Sequence, residues 1–109
     1  MPTCCICQHD VPAWKPHPHL HQRSEFMKLV QAVGSDLAHY QCPVCGCNDR
    51  DRHLWLYFQA LGLPQLMAAA HLLHLAPERR LEPLIQALQP TRYVRGDLHP
   101  TQPGHLQLD

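Results

Sequence analysis

The sequence has no excess of either charge. Nine lysines and arginines balance nine aspartates and glutamates, and with its ten histidines neutral the chain carries no formal net charge at pH 7. A nucleic-acid binder takes much of its affinity from a basic surface that neutralises phosphates, so this balance argues against nucleic acid as a partner. No apolar run reaches the roughly 18 residues of a membrane-spanning helix, and no membrane association is expected. The N-terminus, Met1-Pro2-Thr3-Cys4-Cys5, lacks the charged and apolar regions of a secretory signal, so a cytoplasmic location is expected. There is no acidic tail, no internal repeat and no low-complexity stretch beyond one loop rich in Pro and His, Lys15 to His21. The 109 residues, 45% of them hydrophobic, fit one small domain with a modest core. A chain of this length buries a limited share of its surface and gains from an added staple.

Cysteine is where that staple would come from. Six cysteines fall in two tight groups, at positions 4, 5, 7 and 42, 45, 47. In a reducing compartment such clusters favour metal over disulfides. Cys4 and Cys7 are spaced C-x2-C, as are Cys42 and Cys45. That spacing lets one tight knuckle present two thiolates to the same ion at about 2.3 Å, and two knuckles complete a tetrahedron. Pro43 stiffens the second knuckle, and Gly46 supplies a permissive backbone just after it. The expectation is one zinc ion held by Cys4, Cys7, Cys42 and Cys45, structural because a closed shell leaves no open coordination position. The competing reading is two unconnected pairs of reduced thiols. Cys5 and Cys47 lie outside the x2 register, although either could substitute for a neighbour. His17, His19 and His21 read as a solvated loop, His71 and His74 as packed or exposed strand residues, and His9 and His39 as candidate donors to the sulfurs.

Prolines at 12, 16 and 18 argue against regular structure in the first loop. Ser24 is expected to cap a helix whose apolar face is Phe26, Leu29, Val30 and Val33, with Gly34 as its stop. This helix would be inserted between the knuckles. A second helix is expected from Asp49, capped by Asn48 or Asp49, with Leu54, Trp55, Phe58 and Leu61 as its stripe and Gly62 as its end. Arg50 and Arg52 read as a solvated face paired with Asp49 or Asp51. Pro64 opens a short helical piece. HLLHLA, from His71, reads as a short buried strand; ERRLEPLIQAL reads as a helix with Leu81, Leu84, Ile85 and Leu88 on one face and Pro83 near its start. RYVRGD reads as a second strand ending in Asp97, and HLQLD, ending in Asp109, as a third. Strand, helix and strand in this order predict a βαβ unit with a parallel pair.

Taken together, GSDLAHYQCPVCGCNDRDRHLWLYF, LLHLAPERRL and YVRGDLHP resemble a family of S-adenosylmethionine-dependent methyltransferases with a zinc-ribbon-like N-terminal segment. The resemblance covers the chain from about Cys4 to Asp109. In that family, cysteine knuckles precede an Asp-Arg-x-Arg-His-Leu helix, here Asp49 to Leu54. A Leu-His-x-Ala-Pro-Glu turn follows, here Leu73 to Glu78. The resemblance implies that Ala76, Pro77 and Glu78 border the methionine end of the cofactor, that Asp97 binds the ribose, and that Asp109 lies near the adenine. Asp97 stands 20 positions after Pro77, the separation at which an acidic residue commonly meets ribose hydroxyls in Rossmann-like units. The turn departs from the family's usual neighbours in having no G-x-G-x-G run, and Cys47 stands where the family usually has Ser.

The fold class expected is therefore α/β, a zinc-ribbon-like segment joined to an incomplete Rossmann-like unit. Residues 1–48 would form the knuckles, 49–70 linking helices, and 71–109 a partial methyltransferase unit. The function expected is the zinc-binding N-terminal part of a methyltransferase, inactive alone, with Zn2+ and S-adenosylmethionine as cofactors and an unidentified methyl acceptor as partner. The alternative is a stand-alone zinc-ribbon module binding a protein or nucleic acid.

Overall fold

Ser24 opens the first helix as its residue type suggests. Its hydroxyl accepts from the Met27 amide at 3.2 Å, satisfying one of the orphan donors of the first turn. The structure, a computed structural model, describes every residue except Arg23 and Asp109. The helix, α1, spans only Glu25–Leu29. Gln31 takes a left-handed φ of 51°, the Ala32 amide reaches Met27 O, and the Gln31 amide reaches Lys28 O. This is a Schellman stop, with glutamine in the position more often taken by glycine. The expected continuation to Val33 and Gly34 is thus cut short. Phe26, Leu29, Val30 and Val33 are all exposed and form no buried stripe.

The second helix, α2 (Asp49–Ala60), starts where the sequence places it. The Asp51 amide donates to Asn48 Oδ1 at 2.9 Å, and the Asn48 amide donates to Asp51 Oδ2 at 3.1 Å. This reciprocal box identifies Asn48 as the cap. Trp55 is buried, Leu54 and Phe58 are half-buried, and Leu61 is exposed. A short helix, α3 (Leu63–Met67), carries Pro64 in its first turn.

The chain forms two compact units, Met1–Leu54 and Trp55–Asp109, and the boundary falls inside α2, within the segment read as linking helices. In the first unit the two cysteine knuckles are joined through the loops between them. Lys15 pairs with Gln41 in an isolated antiparallel bridge, and the His17 amide donates to Leu37 O at 2.8 Å. The Pro/His loop is therefore tied down by backbone bonds without becoming a regular element. Among the described residues, the buried apolar side chains of this unit are Cys4, Ile6, Val11, Cys42 and Cys47.

The second unit is mixed α/β. Strands β1 (His71–Leu75), β2 (Arg92–Asp97) and β3 (Leu106–Gln107) form one parallel sheet in the order β1-β2-β3. Leu72 pairs with Tyr93, His74 with Arg95, and Gly96 with Leu106. Helix α4 (Glu82–Ala87) connects β1 to β2, which makes the expected βαβ unit with a parallel pair. The helix begins four residues later than its apolar spacing suggests, because Glu78 to Leu81 form a turn. Pro83 lies in its first turn, where a missing amide costs nothing. Leu81 is fully buried and Ile85 nearly so, while Leu84 and Leu88 are half-buried. β1 is not the buried strand its leucines suggest, because only one of its faces is covered: Leu72 and His74 are half-buried, whereas His71, Leu73 and Leu75 are exposed. Gly96 is the buried residue of β2, and a Cβ there would come within 2.8 Å of Leu108 Cδ1, so the close approach of that side chain requires glycine. No described helix is long and apolar enough to cross a membrane.

Candidate metal centre

The two knuckles have different sequences and the same backbone wiring. In the first, the Cys4 amide donates to His9 O at 2.9 Å and the Gln8 amide to Cys4 O at 2.8 Å. In the second, the Cys42 amide donates to Cys47 O at 2.8 Å and the Gly46 amide to Cys42 O at 3.0 Å. Each ends in an antiparallel bridge one residue outside it, Thr3 with Asp10 and Gln41 with Asn48. Each also needs one left-handed residue after its second cysteine: Gln8 at φ 63° and Gly46 at φ 78°. Glycine adopts that conformation freely and glutamine at some cost. Under this correspondence Cys4 matches Cys42, Cys7 matches Cys45, and His9 matches Cys47.

These turns bring the sulfurs together. The Sγ atoms of Cys4, Cys42, Cys45 and Cys47 all lie within 4.8 Å of one another. Cys4 Sγ is 3.5 Å from Cys47 Sγ and 4.0 Å from Cys45 Sγ; Cys7 Sγ is 3.9 Å from Cys42 Sγ. Four sulfurs bound tetrahedrally at about 2.3 Å from one ion stand about 3.8 Å apart, so the spacing suits a metal such as zinc. No group of four includes His17, His19 or His21 among the described residues. His17 instead packs edge-on against Tyr40, with ring centroids 4.7 Å apart. His9 turns its Nδ1 to Cys7 O, and His39 pairs with Asp36 at 3.1 Å, so neither is hydrogen-bonded to a sulfur.

The structure therefore brings together three of the four sequence-predicted ligands in its tightest group, Cys4, Cys42 and Cys45, and sets Cys7 at its edge. Cys47 takes the fourth place in that group. Its local signal is Gly46, whose left-handed turn carries the chain back toward Cys42. Cys5 is not part of the cluster; its thiol donates to Arg52 O at 3.7 Å.

The thiols hold one another in check electrostatically. Burial pushes Cys45 and Cys47 up to about 12; the sulfurs of Cys47 and Cys42 add to the rise at Cys45, while at Cys47 hydrogen bonds from Cys45 and Arg52 oppose it. Cys7 is pushed to about 12 in the same way. Burial also disfavours the Cys4 thiolate, but the amides of Cys7 and Ile6 and the nearby thiols outweigh it and bring Cys4 down to about 7. A dication is what allows several crowded sulfurs to ionise together. Two amide or guanidinium donors face the cluster. The Val44 amide points at Cys42 Sγ at 3.4 Å, and Arg52 Nη1 reaches Cys47 O at 3.2 Å and Cys47 Sγ at 3.8 Å. Arg52 also donates to His39 O at 2.9 Å and lies 4.0 Å over the Trp14 ring. The sequence reading placed Arg52 on a solvated face; instead it clamps the second knuckle to the Trp14 and His39 segments. Spacing along α2 contains no trace of that role.

The other predicted site residues sit at the carboxyl edge of the sheet. The Ala76 amide donates to Gly96 O at 2.8 Å, so the end of β1 lies beside the end of β2, where Asp97 follows. Ala76 has φ 47°, the left-handed conformation a glycine would take without strain. Asp97 Oδ1 accepts from the His99 amide at 3.1 Å. Glu78 faces inward: its carboxylate accepts from His74 Nε2 at 2.6 Å, and His74 Nδ1 accepts from the Tyr93 hydroxyl at 2.6 Å. Beside this chain, Glu82 meets Arg95 at 3.7 Å and His105 at 2.5 Å. Tyr93, His74 and Arg95 were not picked out by sequence as a connected group. Pro77 is half-buried in the same turn. Asp109 lies outside the described residues. The chain matches no family model, no curated protein and no solved structure.

Proposed function

We propose that this chain is a zinc-pinned segment of an S-adenosylmethionine-dependent methyltransferase, with a zinc-ribbon-like first unit and a Rossmann-like second one. The observation that carries the reading is the strand-end edge. In open parallel sheets ligands bind outside the carboxyl ends of the strands, and here Ala76 and Asp97 come to that edge from neighbouring strands. Asp97 is the acidic residue suited to ribose hydroxyls. Ala76 supplies the left-handed turn that lets backbone approach a ligand. Glu78 is engaged with His74, so its part in this reading is to fix the turn, and ligand contact falls to Ala76, Pro77 and Asp97. When bound, S-adenosylmethionine would supply the methyl group as a sulfonium carbon; the protein's share is to hold and orient it. The thiol cluster, with its closed set of sulfurs, would hold zinc as a structural ion.

The cofactor side alone is represented at this edge, so the chain by itself is expected to transfer no methyl group to an acceptor. Titration with S-adenosylhomocysteine tests the reading. Drug-sized ligands gain about 0.3 kcal/mol per heavy atom even in good sites, and a half-open edge gives an affinity no better than roughly millimolar. Amide shifts should cluster at residues 75–79 and around Asp97, and Asp97→Ala should abolish them. Shifts centred on Cys42 to Cys47, or unchanged by Asp97→Ala, would favour the second reading, a stand-alone zinc module binding a protein. That reading is favoured by the self-contained wiring of the first unit, whose knuckles are closed by their own backbone bonds.

A further inference from the structure

Five thiols converge where a tetrahedral ion takes four. The internal likeness of the knuckles assigns Cys7 the role that Cys45 has, since both are the second cysteine of a C-x2-C turn with identical hydrogen-bond closure. The distances assign the fourth place to Cys47, which lies 3.5 Å from Cys4 and belongs to the tightest group. Both assignments rest on the same structure, and they disagree about one ligand only.

We propose that Cys7 and Cys47 share one coordination position, so that Cys4, Cys42 and Cys45 hold the ion permanently and either of the other two completes its shell. This rests on the zinc reading above and adds how the site behaves once loaded. Cys7 Sγ is 3.9 Å from Cys42 Sγ, so it stands next to the cluster without belonging to its tightest group. Cys47 is fully buried and Cys7 half-exposed. The exposed thiolate can therefore leave the ion while the buried one, steadied by Arg52, takes its place. His9, which occupies the matching position in the first knuckle, has its Nδ1 at Cys7 O and is not part of the close ligand group. The redundancy thus lies on one side of the site. A site built this way keeps its ion when Cys7 is chemically modified, which a fixed set of Cys4, Cys7, Cys42 and Cys45 cannot do, and keeps it when Cys47 is replaced, which a fixed set of Cys4, Cys42, Cys45 and Cys47 cannot do.

The test uses the full chain loaded with zinc, followed by native mass spectrometry and chelator competition. The wild type should carry one ion. Brief treatment with iodoacetamide should alkylate Cys7, and chains alkylated at Cys7 should still carry zinc. Cys7→Ser and Cys47→Ser should each keep one ion with affinity within about tenfold of wild type. The double variant should fall by more than the roughly 10–100-fold typical of losing an outer hydrogen-bond partner. Zinc-free chains after Cys7 alkylation, or a single variant that loses zinc as Cys42→Ser does, would overturn the proposal and leave a fixed ligand set. Full retention in the double variant would overturn it as well, since neither sulfur would then be a ligand. If the wild type carries no ion under these conditions, the zinc reading itself falls and the proposal with it. The alkylation arm, read on wild-type chain, excludes a fixed Cys4, Cys7, Cys42 and Cys45 set, and zinc retention by Cys47→Ser excludes a fixed Cys4, Cys42, Cys45 and Cys47 set; the two results together carry the proposal.

Discussion

Replacing Cys42 with serine should collapse the first unit without touching the second. Cys42 is buried at 1% exposure, common to both possible ligand sets, and the amide acceptor of its own knuckle. Structural zinc sites contribute about 10–16 kcal/mol of apparent binding energy, so one of four sulfurs accounts for about 3 kcal/mol, or at least a hundredfold in affinity. The unit has little else to rely on. Of its five buried apolar side chains, only Ile6 and Val11 are not cysteines. Two such residues contribute about 3–6 kcal/mol when buried, against an ordering cost of about 1–2 kcal/mol for each residue fixed. On the zinc reading, the ion would therefore decide whether the unit folds. Amide spectra of Cys42→Ser, and of wild type treated with a chelator, should lose the dispersed resonances of residues 4–9 and 42–47 together. Resonances of β1 and β2 should persist. A chelated chain whose knuckle resonances stay dispersed would refute the reasoning, because the cluster would then be holding itself together as plain thiols.

The remaining predictions concern protons and packing. Cys45 and Cys47, held near 12, must each release a proton on binding zinc. Apparent affinity should thus fall at least about a hundredfold per pH unit as pH drops from 8 to 7; chelator competition across pH reads the slope. Tyr93 is raised to about 12 by burial and by the negative charge of Glu82, so one of the three tyrosines should ionise two units late in an ultraviolet titration. Because the folded value lies above the unfolded one, stability is unaffected by this group below pH 10 and falls as pH rises through 12. Leu81→Ala should destabilise the second unit by about 2–5 kcal/mol, since the side chain is fully buried, and a thermal melt should show a loss confined to β1, β2 and α4.

What could be read from sequence was what a local rule governs. Ser24, Asn48, Pro64 and Pro83 mark helix starts because capping and missing amides act within one turn, and all four stand where such residues belong. HLLHLA and RYVRGD marked β1 and β2 as short strands, and their order around a helix marked the parallel pair. The end of α1 was misplaced because glycine was taken as the stop, whereas Gln31 supplies the left-handed residue five positions after Phe26. The cysteine register found Cys4, Cys42 and Cys45 but not the proximity of Cys47, which follows from the turn at Gly46 and so depends on a dihedral angle no spacing rule contains. The roles of Arg52 and of the Tyr93–His74–Glu78 chain depend on segments distant in sequence, and only the folded chain reveals them.

The long segment between the knuckles acquires a different meaning once the bridge between Lys15 and Gln41 is considered. With that bridge and the His17 to Leu37 bond in place, the chain returns on itself before it reaches the second knuckle. The part left to span is a tethered loop whose ends are already neighbours. Closing such a loop costs free energy only logarithmically, about 0.6 kcal/mol for each doubling of its length. The sulfur cluster is thus indifferent to how many residues lie between 18 and 36. Natural or engineered insertions there should be tolerated, and a second function could be carried in that loop without disturbing the ion.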